Sequence, residues 1–317
     1  MRRFYDTELK SSLERLEGER RQLRNRYIVT GIIAVVVIGG VYLGVKTFNL
    51  PSLIIAAPII IVAGAAYFLI TPILKQFQAN FKKGVIEPIV HFIEPGLRYS
   101  PDRCVAADTY HWSGLFPHHV DRYRGDDYVT GMLDRTQIEF SELHTEYKTT
   151  HRNSKGSQRS DWHTIFRGIF FCADFNKHFR GVTYVLPDTA ERALGFIGRK
   201  LQEWNKGRGE VVRMEDAEFE KEFAVYGTDQ VGARYILSPG LMRRILEFKK
   251  KTGKTLYISF AGSRIYVAIS IRKPLFEPQT FGSLVKFQPV QEYFEHLTMT
   301  IGLVEDLNLN TRIWTKE

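Results

Sequence analysis

Two stretches of the chain carry apolar side chains without interruption by charge. Tyr27 to Val45 holds 19 residues and Leu53 to Leu74 holds 22, and neither contains Asp, Glu, Lys or Arg. At a helical rise of about 1.5 Å per residue, each is long enough to cross a ~30 Å hydrocarbon core. A short connection with Asn49 and Pro51 supplies the turn between them. The pattern predicts a transmembrane helical hairpin; the competing assignment is a pair of buried helices in a soluble core. Pro58 and Pro72 in the second span predict a kink and a helix end. Gly40 and Gly44 on the first helix, and Gly64 among alanines on the second, offer small-residue surfaces for packing of the membrane helices.

Both flanks of this hairpin are amphipathic. Leu9, Leu13, Leu16 and Leu23 recur at heptad-like spacing before the first span. Phe77, Phe81, Val85, Ile89 and Phe92 do so after the second. The two stripes leave the same end of the hairpin, so they are expected to pack together as a stalk or to bundle with other copies. A second stripe lying flat in the lipid interface is the alternative.

Beyond Gly96 the periodicity turns mostly to two. Arg103–Tyr110 reads as a strand, the aromatic run after it as an irregular loop, and Asp126–Leu133 as a short strand. In Thr136–Tyr147 the phase shifts from Ile138 and Phe140 to Leu143 and Thr145, which a β-bulge would produce. Lys148–Arg159 is a polar hairpin tip. Ile165–Phe175 is apolar on both faces, as expected of an interior strand. Val182–Leu186 is another strand, and Asp188 with Glu191 opens a helix reaching Trp204. Further on, a helix over Glu215–Glu222, a strand Phe223–Gly227 and a helix started by Ser238-Pro239 and stopped by Gly253 are predicted. A hairpin turning at Gly262-Ser263 and a closing helix from Pro289 to Leu307 complete the set. Without regular βαβ alternation, this is an α+β domain on an antiparallel or mixed sheet with flanking helices. The expected organisation is an N-terminal helix 1–26, spans 27–46 and 53–74 joined by a short extracytoplasmic loop 47–52, a stalk helix 75–96 and a cytoplasmic domain 97–317.

Charge fixes the expected orientation. Eight Lys and Arg residues precede the first span, and Lys75, Lys82, Lys83 and Arg98 follow the second, against Lys46 alone in the connection. The positive-inside rule puts both termini in the cytoplasm, hence a multi-pass protein of a cell membrane. Much of the net +9 therefore serves topology and contact with membrane lipid, and nucleic acid is not expected as a partner. Two cysteines, Cys104 and Cys172, fit a reducing compartment.

No catalytic set emerges. The chain has no phosphate-binding loop, and Gly207-x-Gly209 follows a helix instead of opening one. Adjacent His118 and His119, with Asp121, Asp126 and Asp127, do not have metal-ligand spacing, and no cofactor is expected. A polar group at the mouth of the interior strand, Asp174, Asn176, Lys177 and Arg180, is the best candidate for a ligand or partner site, with Asp229 and Arg234 from a second motif. The competing reading makes Asp174 and Asn176 turn residues that satisfy backbone donors.

Two motifs carry a family resemblance: Asp174-Phe175-Asn176-Lys177 with Phe179 and Gly181, and Ala233-Arg234-Tyr235-Ile236-Leu237 with Pro239. With them the chain resembles the bacterial membrane family catalogued as domain of unknown function 3137. The resemblance implies a two-span inner-membrane protein with a cytoplasmic domain. It also implies a LemA-type membrane protein as a partner, and no catalytic residues. The functional expectation is a non-enzymatic scaffold or accessory subunit that binds a membrane protein or forms a homo-oligomer. The alternative is a membrane-anchored sensor or enzyme using Asp174–Arg180 and Asp229–Arg234.

Overall fold

Residues 1–48, 56–152, 158–175, 181–188 and 209–309 are described by a computed structural model, and the chain divides into two units. The first comprises Met1–Ile89 and Phe276–Phe294, the second Val90–Leu275 and Glu295–Glu317. The connection between the apolar runs (49–55), the helix predicted after Asp188, and Asn176, Lys177 and Arg180 lie outside the described residues.

The first unit is helical. Helix α1 (Arg2–Phe4), a π-helical turn (Tyr5–Leu9) and α2 (Lys10–Phe48) follow one another without a break. Helix α3 (Ala56–Phe81) leads through a second π turn (Lys82–Ile86) into α4 (Glu87–Ile93). Asn80 Nδ2 donates to the Glu19 carboxylate at 2.9 Å, and a Cβ on Gly84 would lie 3.7 Å from Leu16 Cδ1 and 3.9 Å from Ser12 Cβ. Early residues of the first helix thus meet late residues of the second, so the pair is antiparallel. The stripe residues Leu9, Leu13, Leu16, Leu23, Phe77, Phe81, Val85 and Ile89 are all buried, whereas Phe92 is 44% exposed.

Pro72 does not end α3, contrary to the sequence expectation. It lies inside the helix, which runs nine residues further to Phe81. Its missing N–H removes one hydrogen bond, while Ile70, Phe77 and Phe81 on either side are held by burial. Pro58 falls in the first turn of α3, where a free N–H has no helical partner to lose. Added Cβ atoms at Gly40, Gly44 and Gly64 would meet nothing within 4 Å, so these glycines mark no close approach of the two helices.

The second unit is built on one nine-stranded sheet in which every pairing is antiparallel. In chain order it holds β1 (Leu97–Ser100), α5 (Ala107–Trp112), β2 (Arg122–Leu133), β3 (Thr136–Arg152), β4 (Gln158–Asp174) and β5 (Val182–Pro187). Then come β6 (Glu210–Val211), α6 (Ala217–Glu222), β7 (Phe223–Gly227), α7 (Gln230–Ile236), α8 (Pro239–Thr252), β8 (Thr255–Ala261) and β9 (Arg264–Ser270). Helix α9 (Phe287–Ile301) begins in the first unit and ends in the second, followed by α10 (Leu303–Asp306). The spatial order is β1-β2-β3-β4-β9-β8-β5-β7-β6. The late β8–β9 hairpin therefore enters between β4 and β5, which are neighbours in sequence.

Strand β4 is interior, as its unbroken apolar run predicts. Phe140, Phe171, Val267 and Ile258 are successive cross-strand partners on one face, and all are buried. Ser141, Phe170 and Ala268 form the matching row on the other face, in a cluster with Tyr110, Leu115, Tyr184 and Tyr226. Both faces are covered over Gly168–Ala173, so this part of β4 has no polar side to alternate.

Two expectations about this region are corrected. Arg103–Tyr110 is not a strand: α5 starts at Ala107, and Tyr110 turns into the aromatic cluster, where its hydroxyl lies 2.9 Å from Thr145 Oγ1. The bulge is not in β3. The register shifts between Asp126 and Val129 of β2, and again between Thr145 and Glu146, where Thr145 pairs Phe166 of β4 but Glu146 pairs Thr164. Strand β3 itself alternates throughout; its apparent phase change reflects which face of the sheet is covered at each point.

Candidate functional site

Asp174, the first predicted site residue, ends β4 opposite Arg264, the first residue of β9. Arg264 Nε lies 3.7 Å from its carboxylate, and Arg264 Nη1 lies 3.7 Å from Glu139 and 4.0 Å from Cys172 Sγ. Tyr128 donates to the other oxygen of Glu139 at 2.8 Å. Together with Thr130 and Gln137, these residues line a shallow cleft of about 180 Å³. Burial pushes the Cys172 thiol up to about 12, so it stays protonated and is no nucleophile near neutrality. One guanidinium faces two carboxylates at distances longer than direct hydrogen bonds. Such half-exposed pairs contribute about 1 kcal/mol or less each.

Asp229 has a different task. It caps α7, its carboxylate accepting from the backbone N–H groups of Val231 and Gly232 at 3.1 Å. Arg234 lies on the same helix and its Nε donates to the carbonyl of Arg213 at 3.4 Å. Both motifs do lie at one end of the sheet. From β4 to β7 there are four strand steps, about 19 Å at the usual spacing, so Asp174 and Asp229 do not meet. Gly181 links the two regions. A Cβ there would sit 2.5 Å from Thr228 Oγ1 and 3.2 Å from Asp229 Cβ, which leaves room only for glycine.

The histidine pair is engaged separately: His118 stacks on Tyr147 with ring centroids 5.1 Å apart, and His119 lies 3.7 Å from Asp121. Asp127, in the left-handed region at φ 58°, is buried and accepts from the Tyr99 hydroxyl.

Sequence reading missed a polar cluster inside the first unit. Glu17 and Arg20 are both buried and joined by two hydrogen bonds of 2.7 and 2.9 Å. Residues 276–294 return to this pair, Arg20 donating to the carbonyl of Thr280 at 2.9 Å and Glu17 accepting from Leu284 N at 3.1 Å. Buried Lys82 meets Glu277 at 3.1 Å, and Tyr5 donates to the carbonyl of Val285. The hydrogen bonds from Arg20, chiefly, hold the Glu17 carboxyl down to about 2. The available signal was the charged Glu17 and Arg20 inside an otherwise leucine-lined stripe.

This domain carries a recognisable family pattern. Residues 164–309 match the family described as protein of unknown function (DUF3137). The DUF3137 region starts inside β4 and runs to the end of the described chain, so it contains Asp174, Asp229, Arg234 and Arg264 but not the apolar helices. No curated protein sequence matches the chain. Among solved structures, it is similar to the crystal structure of the mycobacterial trehalose monomycolate transport factor A, TtfA. That likeness has 10% identity and a TM-score of 0.32 over 68% of this chain and 95% of that one, and no conclusion rests on it.

Proposed function

We propose that this chain is a non-catalytic scaffold or accessory subunit of the bacterial inner membrane. Its helical hairpin spans the bilayer with both termini in the cytoplasm, and its α+β domain binds a membrane-protein partner or further copies of itself. The observation that carries this reading is the exposure of the apolar helices. Their most hydrophobic windows are 0% and 6% buried within the protein, and Val35 is 71% exposed, Phe68 78%. Core helices of a soluble protein bury such surface; here only lipid or another chain would cover it. A LemA-type membrane protein is the first partner to test, as the family resemblance implies.

The sensor or enzyme alternative gains nothing from the described residues, because Asp229 is occupied as a helix cap and Asp174 faces Arg264. The test is crosslinking in native membranes followed by mass spectrometry, paired with reporter fusions at the C-terminus. A crosslinked partner or self-adduct and a cytoplasmic reporter are expected. A lone monomer, or a reporter active outside the membrane, would overturn the reading.

A further inference from the structure

The long β2–β3–β4 face carries a row of basic side chains that the fold does not explain. Arg124 of β2, His144 of β3 and Arg167 of β4 are direct cross-strand partners, so their side chains leave the same face next to one another. Glu146 is the carboxylate at hand, and it serves Arg122 at 3.1 Å and lies 3.8 Å from His144 Nε2. Thr164 Oγ1 is 3.2 Å from the same ring nitrogen. Among the described residues, no ion pair engages Arg124, Arg167 or Arg272. The Nε of Arg167 is moreover buried with no hydrogen-bond partner, an unfavourable arrangement for a donor.

Beside this row the surface is concave. Arg167 and Arg272 line an open cleft of about 360 Å³ with Thr164, Tyr257 and Ser270, large enough for a small phosphate ester. Gly168 shapes it. At φ 147° this residue brings β4 so close to β9 that a Cβ would lie 2.0 Å from the carbonyl oxygen of Ile269. The tight passage lets Ile271 N donate to the Arg167 carbonyl at 3.0 Å, so Ile271 lies opposite Arg167 and Arg272 follows it into the cleft lining.

We propose that this cleft binds a phosphate group, held by the guanidinium groups of Arg167 and Arg272, with the Thr164 hydroxyl as a further donor and Arg124 adding charge along the row. A guanidinium fork matches phosphate oxygens in geometry and charge. The phosphate belongs either to a soluble monoester or to a lipid headgroup.

The experiment uses the full chain. In maltoside micelles it is titrated with inorganic phosphate by calorimetry; in phosphatidylcholine nanodiscs it is mixed with vesicles with or without phosphatidic acid. Saturable binding in either arm, weakened about tenfold or more by R167Q/R272Q, supports the site, and the responding arm names the source. Arg167→Lys should recover part of the affinity. Should the double variant fail to fold, Arg124→Gln, exposed and in no ion pair among the described residues, should still weaken binding a few-fold. Binding in neither arm, or binding unchanged by these substitutions, overturns the proposal.

Discussion

Glu17 is the residue whose chemistry most exceeds what its place in the sequence suggested. It looked like one more charge between leucines, yet it is buried and accepts from Arg20, Arg21 and Leu284. Its carboxyl is held near 2 against an ordinary 4.5, so the folded state prefers the ionised form. The stabilisation is complete above pH 4.5 and is lost as pH falls toward 2; a shift of that size corresponds to about 3 kcal/mol. Glu17→Gln should lower thermal stability in detergent at neutral pH by about 3–5 kcal/mol, because buried Arg20 is left without a counter-charge. The variant should also show a flatter loss of stability between pH 4.5 and 2. Unchanged acid sensitivity would mean that the pair does not govern folding of this unit. Asp229 is a second residue-scale case. Asp229→Ala should cost about 1 kcal/mol, whereas Asp229→Asn should be nearly neutral, since either side chain caps a helix. A ligand site that needed the charge would respond to both. The Cys172 thiol, with its pKa near 12, should resist alkylation at neutral pH in the native chain and react once denatured.

At the scale of elements, the parts legible in the sequence were those fixed by local pattern. The leucine and phenylalanine stripes, the Ser238-Pro239 start and Gly253 stop of α8, and the Gly262-Ser263 turn all stand where periodicity and turn chemistry put them. Arg103–Tyr110 misled because Val105 and Tyr110 are buried at a spacing that fits more than one structure, and only the aromatic cluster decides for α5. Helix α7 was missed: Gly232 weakens its helical pattern, and the Asp229 cap was read as chemistry. Strand order was beyond reach, since β4–β9 and β5–β8 pair residues 73 to 102 positions apart without a local mark. The separation of the two candidate motifs was hidden for the same reason. Asp174 and Asp229 were grouped by motif, and the sheet sets four strand steps between them. Gly168 gives this scale its prediction. Gly168→Ala would press a methyl group onto the Ile269 carbonyl at a φ alanine avoids, so β4 and β9 must part there. A loss of about 3 kcal/mol or more in thermal unfolding, with faster amide exchange at Ile269 and Ile271, is expected. Alanine tolerated without change would show that the ladder can shift to accept it.

For the whole molecule the notable feature is the path of the chain. It builds the helical pair first, leaves at Ile89 to form the sheet, returns as residues 276–294, and leaves again inside α9. The returning segment completes the first unit: Thr280 and Leu284 take the polar ends of Arg20 and Glu17, Glu277 meets Lys82 and Gln78, and Tyr293 packs on Phe81 with ring centroids 5.5 Å apart. A chain ending after Leu275 would strip Arg20, Glu17, Lys82 and Phe81 of these contacts and open the covered side of the helical pair to water, a destabilising condition. The apolar runs would be unaffected, because nothing in 276–294 supplies their length or hydrophobicity. Truncation should therefore separate the apolar character of the two runs from the stability of the helical pair. The shortened protein should still require detergent for extraction, yet trypsin should cut its N-terminal helix at Arg15, Arg20 or Arg21 several times faster than in the full chain, as local opening becomes easier. Equal protease resistance in both forms would show that the two helices hold together by their leucine and phenylalanine stripes alone.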